Sequence, residues 1–437
     1  MGMNPDVTAG SGRIPLVVGA GLLLVAALLT SACAEATPGS VQGDWAAERE
    51  ERGDTLVVRT VSGSVWGDTM VLVPEVTIGE MDGADPYLFG NVRGLDVDDR
   101  GRILVVDAQA REVRVFSPEG RHLHSFGRRG EGPGEFSEPD VIRIRDDGLL
   151  VIRDQRNARF SLFAPEGEHR GGWSLRGGFF TGTPFYLTDD GEVFHPTLRN
   201  LGADVGPGQW QHALVRYDRE GTVADTLDVP TRGREPPSVE VRTENVVNRS
   251  LVPFSPREFW ALTPWGDFLF GHSGMYRIER WNQDGSVLAT ERVSPAAPVR
   301  AGEARYQQEL ITRRFRQVDA SWRWQGDGVP DVKPFYQNLL SGRDGTIWVL
   351  RHSPGFEEEN PDYDPDRPDQ GFPTRWTEPQ VFDVFDENGR YLGPVKAPRE
   401  LRVWTTPVLT AEGVWAVAPH ELGYDQVIRF RLEPYAP

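Results

Sequence analysis

Four of the eight histidines, His195, His272, His352 and His420, stand where short apolar runs end, and imidazole is both a common metal ligand and a ready general base. Counting six residues on from Gly101, Gly148, Gly191, Gly266, Gly345 and Gly413 lands on Asp107, Asp154, Thr197, His272, Arg351 and Pro419. A slip of one or two residues brings in the other three histidines. If these positions share an axis, the four histidines would hold a divalent ion, zinc or calcium, with Asp107 and Asp154 close by. The single cysteine, Cys33, cannot make an intramolecular disulfide or a Cys-rich zinc site. No Ser-His-Asp set, nucleophile elbow or phosphate loop is legible, and carboxylates are too numerous for a catalytic pair to stand out.

Other candidate groups lie in the longer connections. Asp362, Asp364 and Asp366 alternate within EEENPDYDPDRPD (357–369), as in a calcium loop, but Arg367 stands where the EF-hand needs Gly and Pro373 where it needs Glu. A solvated acidic insertion is the expectation. GEGPG (130–134) is glycine-rich, yet Glu131 and Glu135 would repel a phosphate and no helix follows, so it reads as a connecting turn. Trp322, Trp324 and Trp376 supply flat aromatic surface suited to sugar rings or peptides. With Asp107, Asp154 and Arg351 they make up the expected binding face.

The elements that must position these groups are short strands. One series of turns lies at 98–101, 146–148, 189–191, 264–266, 343–345 and 411–413, and a second at 117–120, 164–167, 218–221, 282–285 and 386–389. Gly in such turns tolerates the positive φ of a tight reversal. Apolar runs such as RILVV (102–106), LLVI (149–152) and TIWVL (346–350) follow the first series, and runs such as EVRVF (112–116) and VIRFRL (427–432) come next. Four antiparallel strands recurring every 45–80 residues describe an all-β, six-bladed β-propeller. The sixth blade has three strands at the C-terminal end, so an N-terminal strand must close the ring: TMVLVPEVTIG (69–79), with DTLVVRTV (54–61) as competitor.

All the long insertions, 195–210, 230–257, 294–334 and 352–379, fall on the face opposite the tight turns, which marks it as the expected binding face. Within them 301–322 places Tyr306, Leu310, Ile311, Phe315, Val318 and Trp322 near helical spacing, predicting one amphipathic helix packed on the propeller.

The N-terminus reads differently. IPLVVGAGLLLVAALL (14–29) rises about 24 Å as a helix, short of a ~30 Å hydrocarbon core, and suits a signal-peptide apolar region. Residues 34–53 are small and polar and read as a tether, leaving 54–437 for the propeller. The chain carries 65 acidic against 47 basic residues, so the electrostatic footprint of a nucleic-acid binder is missing.

Two resemblances add to this reading. Thr30-Ser31-Ala32-Cys33 resembles a bacterial lipoprotein cleavage site, although Thr30 stands where an aliphatic residue is usual; this implies that residues 1–33 are a signal peptide, that Cys33 is lipidated and that the body is exported to the cell envelope. FGRRGEGPGEFSEPDVIRIRDDGLLVIRDQRNARFSLFAPEG (126–167) resembles the NHL repeat and related bacterial six-bladed propeller lipoproteins, with the match running over 88–175 and its approach at 78–92. The resemblance implies the fold but spans several functions. Peptidyl-hydroxyglycine lyases are similar propellers that hold zinc with histidines from separate blades, which makes a metal-dependent lyase or lactonase the alternative. The leading expectation is a non-enzymatic module that binds a protein, peptide or glycan on the insertion face, touching the membrane only through its lipid.

Overall fold

The computed structural model describes residues 43–177, 183–199, 211–233, 235–244, 246–367 and 371–436. The expected signal peptide, Cys33 and residues 34–42 of the expected tether lie outside them, as does 200–210 of the first insertion.

Six blades of four antiparallel strands follow the rhythm of the glycine turns, blades 5 and 6 joining edge to edge into one eight-stranded sheet. Blade 1 is Val92–Val97, Ile103–Asp107, Glu112–Phe116 and His122–Phe126. In the first turn series Gly101, Gly148, Gly191, Gly266 and Gly345 all take φ between +74° and +87°, a region that disfavours residues with a Cβ. The innermost strands of blades 2 to 6 are Pro139–Ile144, Tyr186–Leu187, Glu258–Leu262, Tyr336–Ser341 and Val408–Thr410. Second strands are covered on both faces by neighbouring blades. Ile103–Asp107 and Leu150–Asp154 are therefore buried at every residue, and their sequences run apolar instead of alternating.

The ring closes as expected, through 69–79. Three N-terminal strands precede blade 1: β1 (Ala46–Arg52), β2 (Thr55–Ser62) and β3 (Met70–Ile78). β3 pairs antiparallel with Asp425–Pro434 from Met70↔Pro434 to Ile78↔Val427, with a bulge between Pro74 and Val76. Pro cannot donate to a ladder, and the bulge falls beside it. Leu72 and Ile78 sink into two different interblade cores.

The competitor has another place. β2 adds in parallel to the outer strand of blade 4, Thr55↔Val287 through Thr60↔Arg292, and β1 folds back on β2. This corrects the tether: 46–52 is a strand of the folded body. Val57, Val58 and Thr60 of β2 are buried and give the hairpin a face to pack, while the charged Glu-Arg-Glu-Glu-Arg run of β1 forms an exposed edge that discourages further pairing.

The insertions form a cap of their own. Ser238–Arg242 pairs with Val247–Leu251, and Phe356–Glu359 with Thr374–Thr377. Helix α1 (Ala301–Arg316) runs between these hairpins. It is shorter than the expected 301–322, because the Asp319 carboxylate accepts the Ser321 N–H at 2.8 Å and so favours a turn over helix. Its apolar side departs from the expectation as well: Ile311 and Phe315 pack with Val239, Val241 and Val252 of the preceding insertion instead of on a blade.

A chain beginning at Gly67 should keep a cooperative thermal transition lowered by about 5 °C, because only the outer strand pair is lost. A chain beginning at Gly79 should show no cooperative transition by circular dichroism, because blade 6 then lacks its closing strand.

Candidate functional site

The second-strand ends meet the expectation in place but differ in role. Asp107 is fully buried, and its carboxylate accepts the N–H groups of Gly90 (2.9 Å), Asn91 (3.2 Å), Gln109 (3.0 Å) and Ala110 (3.2 Å). Asp154, equally buried, accepts from Ser137 (3.0 Å), Glu138 (2.8 Å) and the Asn157 side chain (2.7 Å). In blade 6 the Asp425 carboxylate holds Val92 N–H of blade 1 at 2.9 Å and Arg402 at 2.5 Å. Asp107 and Asp154 lash the second strands of blades 1 and 2 to the start of an inner strand, and Asp425 does the same from the third strand of blade 6. Asp107 and Asp154 are thus corrected from binding face to framework, since their oxygens are already occupied. Arg351 is half-buried, with no partner for its Nε.

The four histidines stay in separate surroundings. Among the described residues no three His, Cys, Asp or Glu side chains gather as a metal site. His420 stacks on Tyr424 at 4.4 Å and its Nδ1 accepts the Leu422 N–H at 3.1 Å. His272 Nδ1 accepts the Gly274 N–H at 3.3 Å. His352 Nδ1 lies 3.1 Å from Glu378, whose other neighbours are Ser353 N–H at 2.8 Å and Lys333 Nζ at 3.0 Å. Lys333 is fully buried, also pairs with Glu303 of α1 at 2.5 Å, and clamps the helix to blade 5. The charges of His352 and Lys333, with the Ser353 bond, hold Glu378 below the usual carboxylate range against the opposing effect of burial.

His195 is 2% exposed, and neither ring nitrogen has a partner among the described residues. It meets Phe160 edge-on at 5.8 Å. Burial, with Arg153 nearby, pushes its pKa down to about 3. Arg153 in turn forks onto Asp140 at 2.9 and 2.6 Å.

The aromatic candidates hold the cap together. Trp322 meets Phe315 edge-on at 5.0 Å and donates to Glu240 O at 2.8 Å, while Trp324 donates to Asp327 O at 3.0 Å. Trp376 lies so close to Gly302 that a Cβ there would meet its ring at 2.7 Å. Asp362, Asp364 and Asp366 are exposed, and Asp364 accepts the Asp366 N–H within its own turn. Glu135 accepts the Gly132 N–H at 2.9 Å, which makes 130–134 the connecting turn it was expected to be.

A cavity on the axis follows a different count. Five residues before each glycine of the first series stand Asp96, Arg143, Tyr186, Ala261, Leu340 and Val408, all on innermost strands. They line an axial channel of about 910 Å³ that opens among the tight turns, opposite the insertions. In blades 1 to 5 they share one register, opposite Leu104, Val151, Phe194, Leu269 and Trp348. Blades 1 to 3 make a polar arc and blades 4 to 6 an apolar one.

Within the polar arc Asp96 is neutralised. It is fully buried, accepts Ile144 N–H at 2.9 Å and pairs with Arg343, which reaches from blade 5 and also donates to Val97 O at 2.7 Å. Arg143 has no such partner: among the described residues it makes one hydrogen bond, to Ile142 O at 2.8 Å, and no ion pair. Its guanidinium lies 6.0 Å from the Phe185 ring. Burial lowers its pKa, the repulsion of Arg343 and Arg153 adding to that and Asp96 opposing it. Tyr186 is close enough for the Arg143 charge to favour its phenolate, although burial raises its pKa more strongly. The Tyr186 ring lies 5.8 Å from Trp260, another half-buried residue of the channel wall. Neither the Tyr186 hydroxyl nor the Trp260 N–H is hydrogen-bonded among the described residues. None of the three is reached by counting forward from the turn glycines, whereas counting five residues backward from the same glycines finds the register of Arg143 and Tyr186.

The family described as a 6-bladed beta-propeller matches residues 80–223. No curated protein matches the chain. Among solved structures, a Bacteroides vulgatus member of the DUF4221 family is 11% identical, with 84% of this chain and 99% of that one covered and a TM-score of 0.50. A virginiamycin B lyase from Staphylococcus aureus is 10% identical over 77% and 94%, with a TM-score of 0.37. A gluconolactonase from Xanthomonas campestris is 11% identical over 76% and 83%, with a TM-score of 0.33. The first shares the fold of this chain; the chemistry of the other two stays theirs.

His195 generates a prediction with a definite sign. Its folded pKa, about 3, lies below the ordinary 6.5, so between these values the unfolded chain binds the extra proton. Its contribution to stability is complete above pH 6.5 and falls by up to about 1.4 kcal/mol per pH unit below it. Urea unfolding at pH 7 and pH 5 should show a smaller acid loss in His195→Leu than in the wild type; equal losses would show that the ring is not the cause.

Proposed function

We propose that this chain is a non-enzymatic ligand-recognition propeller of the bacterial cell envelope, exported and attached to the membrane through a lipid on Cys33. The observation that carries the reading is the axial channel. Its wall keeps Arg143, Tyr186 and Trp260 with polar groups that the fold does not use, whereas the second-strand carboxylates are engaged in holding backbone. A cavity of about 910 Å³ with a few convergent polar groups between apolar and aromatic walls suits a small molecule, or a side chain, terminus or sugar presented by a protein, peptide or glycan.

This places the ligand on the axis, not on the insertion face. The cap aromatics support that choice, since Trp322 and Trp324 spend their indole N–H groups on Glu240 and Asp327 within the cap. The export reading rests on the apolar stretch and the Thr30-Ser31-Ala32-Cys33 motif. A lipid on Cys33 and a tether would let the propeller stand off the bilayer with its channel open to solutes.

A photo-crosslinking amino acid at Ser341, on the channel wall, should capture a ligand adduct in cells, and the same group at Trp324 in the cap should not. Adducts at 324 with none at 341 would move the site back to the insertions. Separately, Cys33→Ala should abolish palmitate labelling and shift the protein from the membrane pellet to the soluble fraction. Unchanged labelling would remove the lipid anchor from the proposal.

A further inference from the structure

We infer that the axial channel recognises a ligand through a single carboxylate attached to a flat apolar or aromatic body, with Arg143 as the group that takes the carboxylate. This inference rests on the channel being the ligand site, and it specifies what that site reads. A guanidinium presents five N–H donors in a planar fork that matches a carboxylate two to two, and Arg143 commits one bond to Ile142 O. A cation held inside a protein without a carboxylate partner is costly. Arg153, one strand away in the same blade, shows the usual solution, a fork onto Asp140. Arg143 lacks that partner among the described residues while facing open volume.

The groups around Arg143 narrow the ligand. Asp96 is the acid whose charge acts on Arg143, but its oxygens are taken by Arg343, Val97 N–H and Ile144 N–H, so it leaves the Arg143 fork open. The Tyr186 hydroxyl, on the next inner strand at the same register, is a second donor. Tyr186 and Trp260 offer aromatic surface on one side, and Ala261 and Leu340 continue the wall as apolar groups.

The rim sets the charge. Asp98 pairs with Arg102 at 2.7 Å, and Asp146 and Asp147 pair with Arg219 at 2.6 and 3.1 Å. Asp189 has no cation partner among the described residues, and burial together with Asp190 and Asp146 raises its pKa. A doubly charged phosphate entering past these carboxylates meets more repulsion than a monoanion does. One half-buried cation without an acid partner among the described residues, with the unpaired Asp189 at the rim, therefore favours a monocarboxylate over a phosphate.

The test titrates purified protein with phenylacetate, phenylacetamide and inorganic phosphate by calorimetry. The acid should bind at least about tenfold more tightly than the amide, the difference expected for one charge-assisted pair. Phosphate should bind more weakly than phenylacetate. Arg143→Met should lose the preference for the acid, Arg143→Lys should retain part of it, and both should melt within a few degrees of the wild type. Equal affinity for acid and amide in the wild-type protein, tighter binding of phosphate, or no binding of any probe would each overturn the inference. The acid-against-amide comparison needs no variant, so a misfolded Arg143→Met leaves the test intact. Crosslinking at Ser341 reports on the channel without reference to charge: an adduct there together with equal affinities would reject Arg143 recognition and keep the channel as the ligand site.

Discussion

Ring closure is the constraint on which the rest of the molecule depends. Blade 6 has three strands from the C-terminus, and β3 supplies the fourth by pairing along Asp425–Pro434. An unpaired strand edge at that point would expose a row of backbone donors and acceptors next to two interblade cores. Because Leu72 and Ile78 of β3 enter those two cores, closing the ladder also completes the apolar packing on both sides of blade 6. With the ring shut, six inner strands are held around one axis, and the channel follows as the space that they cannot fill.

Buried carboxylates turn that ring into a stiff frame. Asp107, Asp154 and Asp425 each accept backbone N–H groups near the start of an inner strand, and Asp383 accepts Tyr276 and Tyr391 hydroxyls at 2.6 and 2.7 Å between blades 4 and 5. A desolvated carboxylate is tolerable when its lone pairs are filled, and its loss leaves several donors unpaired. Asp107 and Asp154 thus read as binding-face residues in sequence and act as fastening in space. Lys333 plays the corresponding part for the insertions, holding Glu303 of α1 and Glu378 of blade 5 together.

The two faces divide the work. On one, hairpins and α1 pack against each other with their tryptophans turned to internal partners. On the other, tight turns leave the axis open, and the polar arc of Asp96, Arg143 and Tyr186 faces an apolar one. Short turns keep that mouth clear of obstruction, so elaboration on one face and access on the other are compatible.

Glycine spacing and apolar runs carried the fold, because a turn with positive φ and a doubly covered strand leave local marks on residue type: Gly148 and LLVI (149–152) can be read without knowing their neighbours. That an N-terminal strand closes the ring was legible for the same reason, since three strands at one end demand a fourth; that it is 69–79, with 54–61 on the edge of blade 4, was decided by the fold. Residue type alone could not say that His195, His272, His352 and His420 remain apart, because one residue of slip along a strand turns a side chain to the other face. Nor could it tell Arg143 from Arg153, two arginines on adjacent strands of one blade. Arg153 meets Asp140 on the neighbouring strand of its own blade, whereas Arg143 faces the axis, where Asp96 of blade 1 is already paired with Arg343 of blade 5, and that second arrangement is decided when the ring closes.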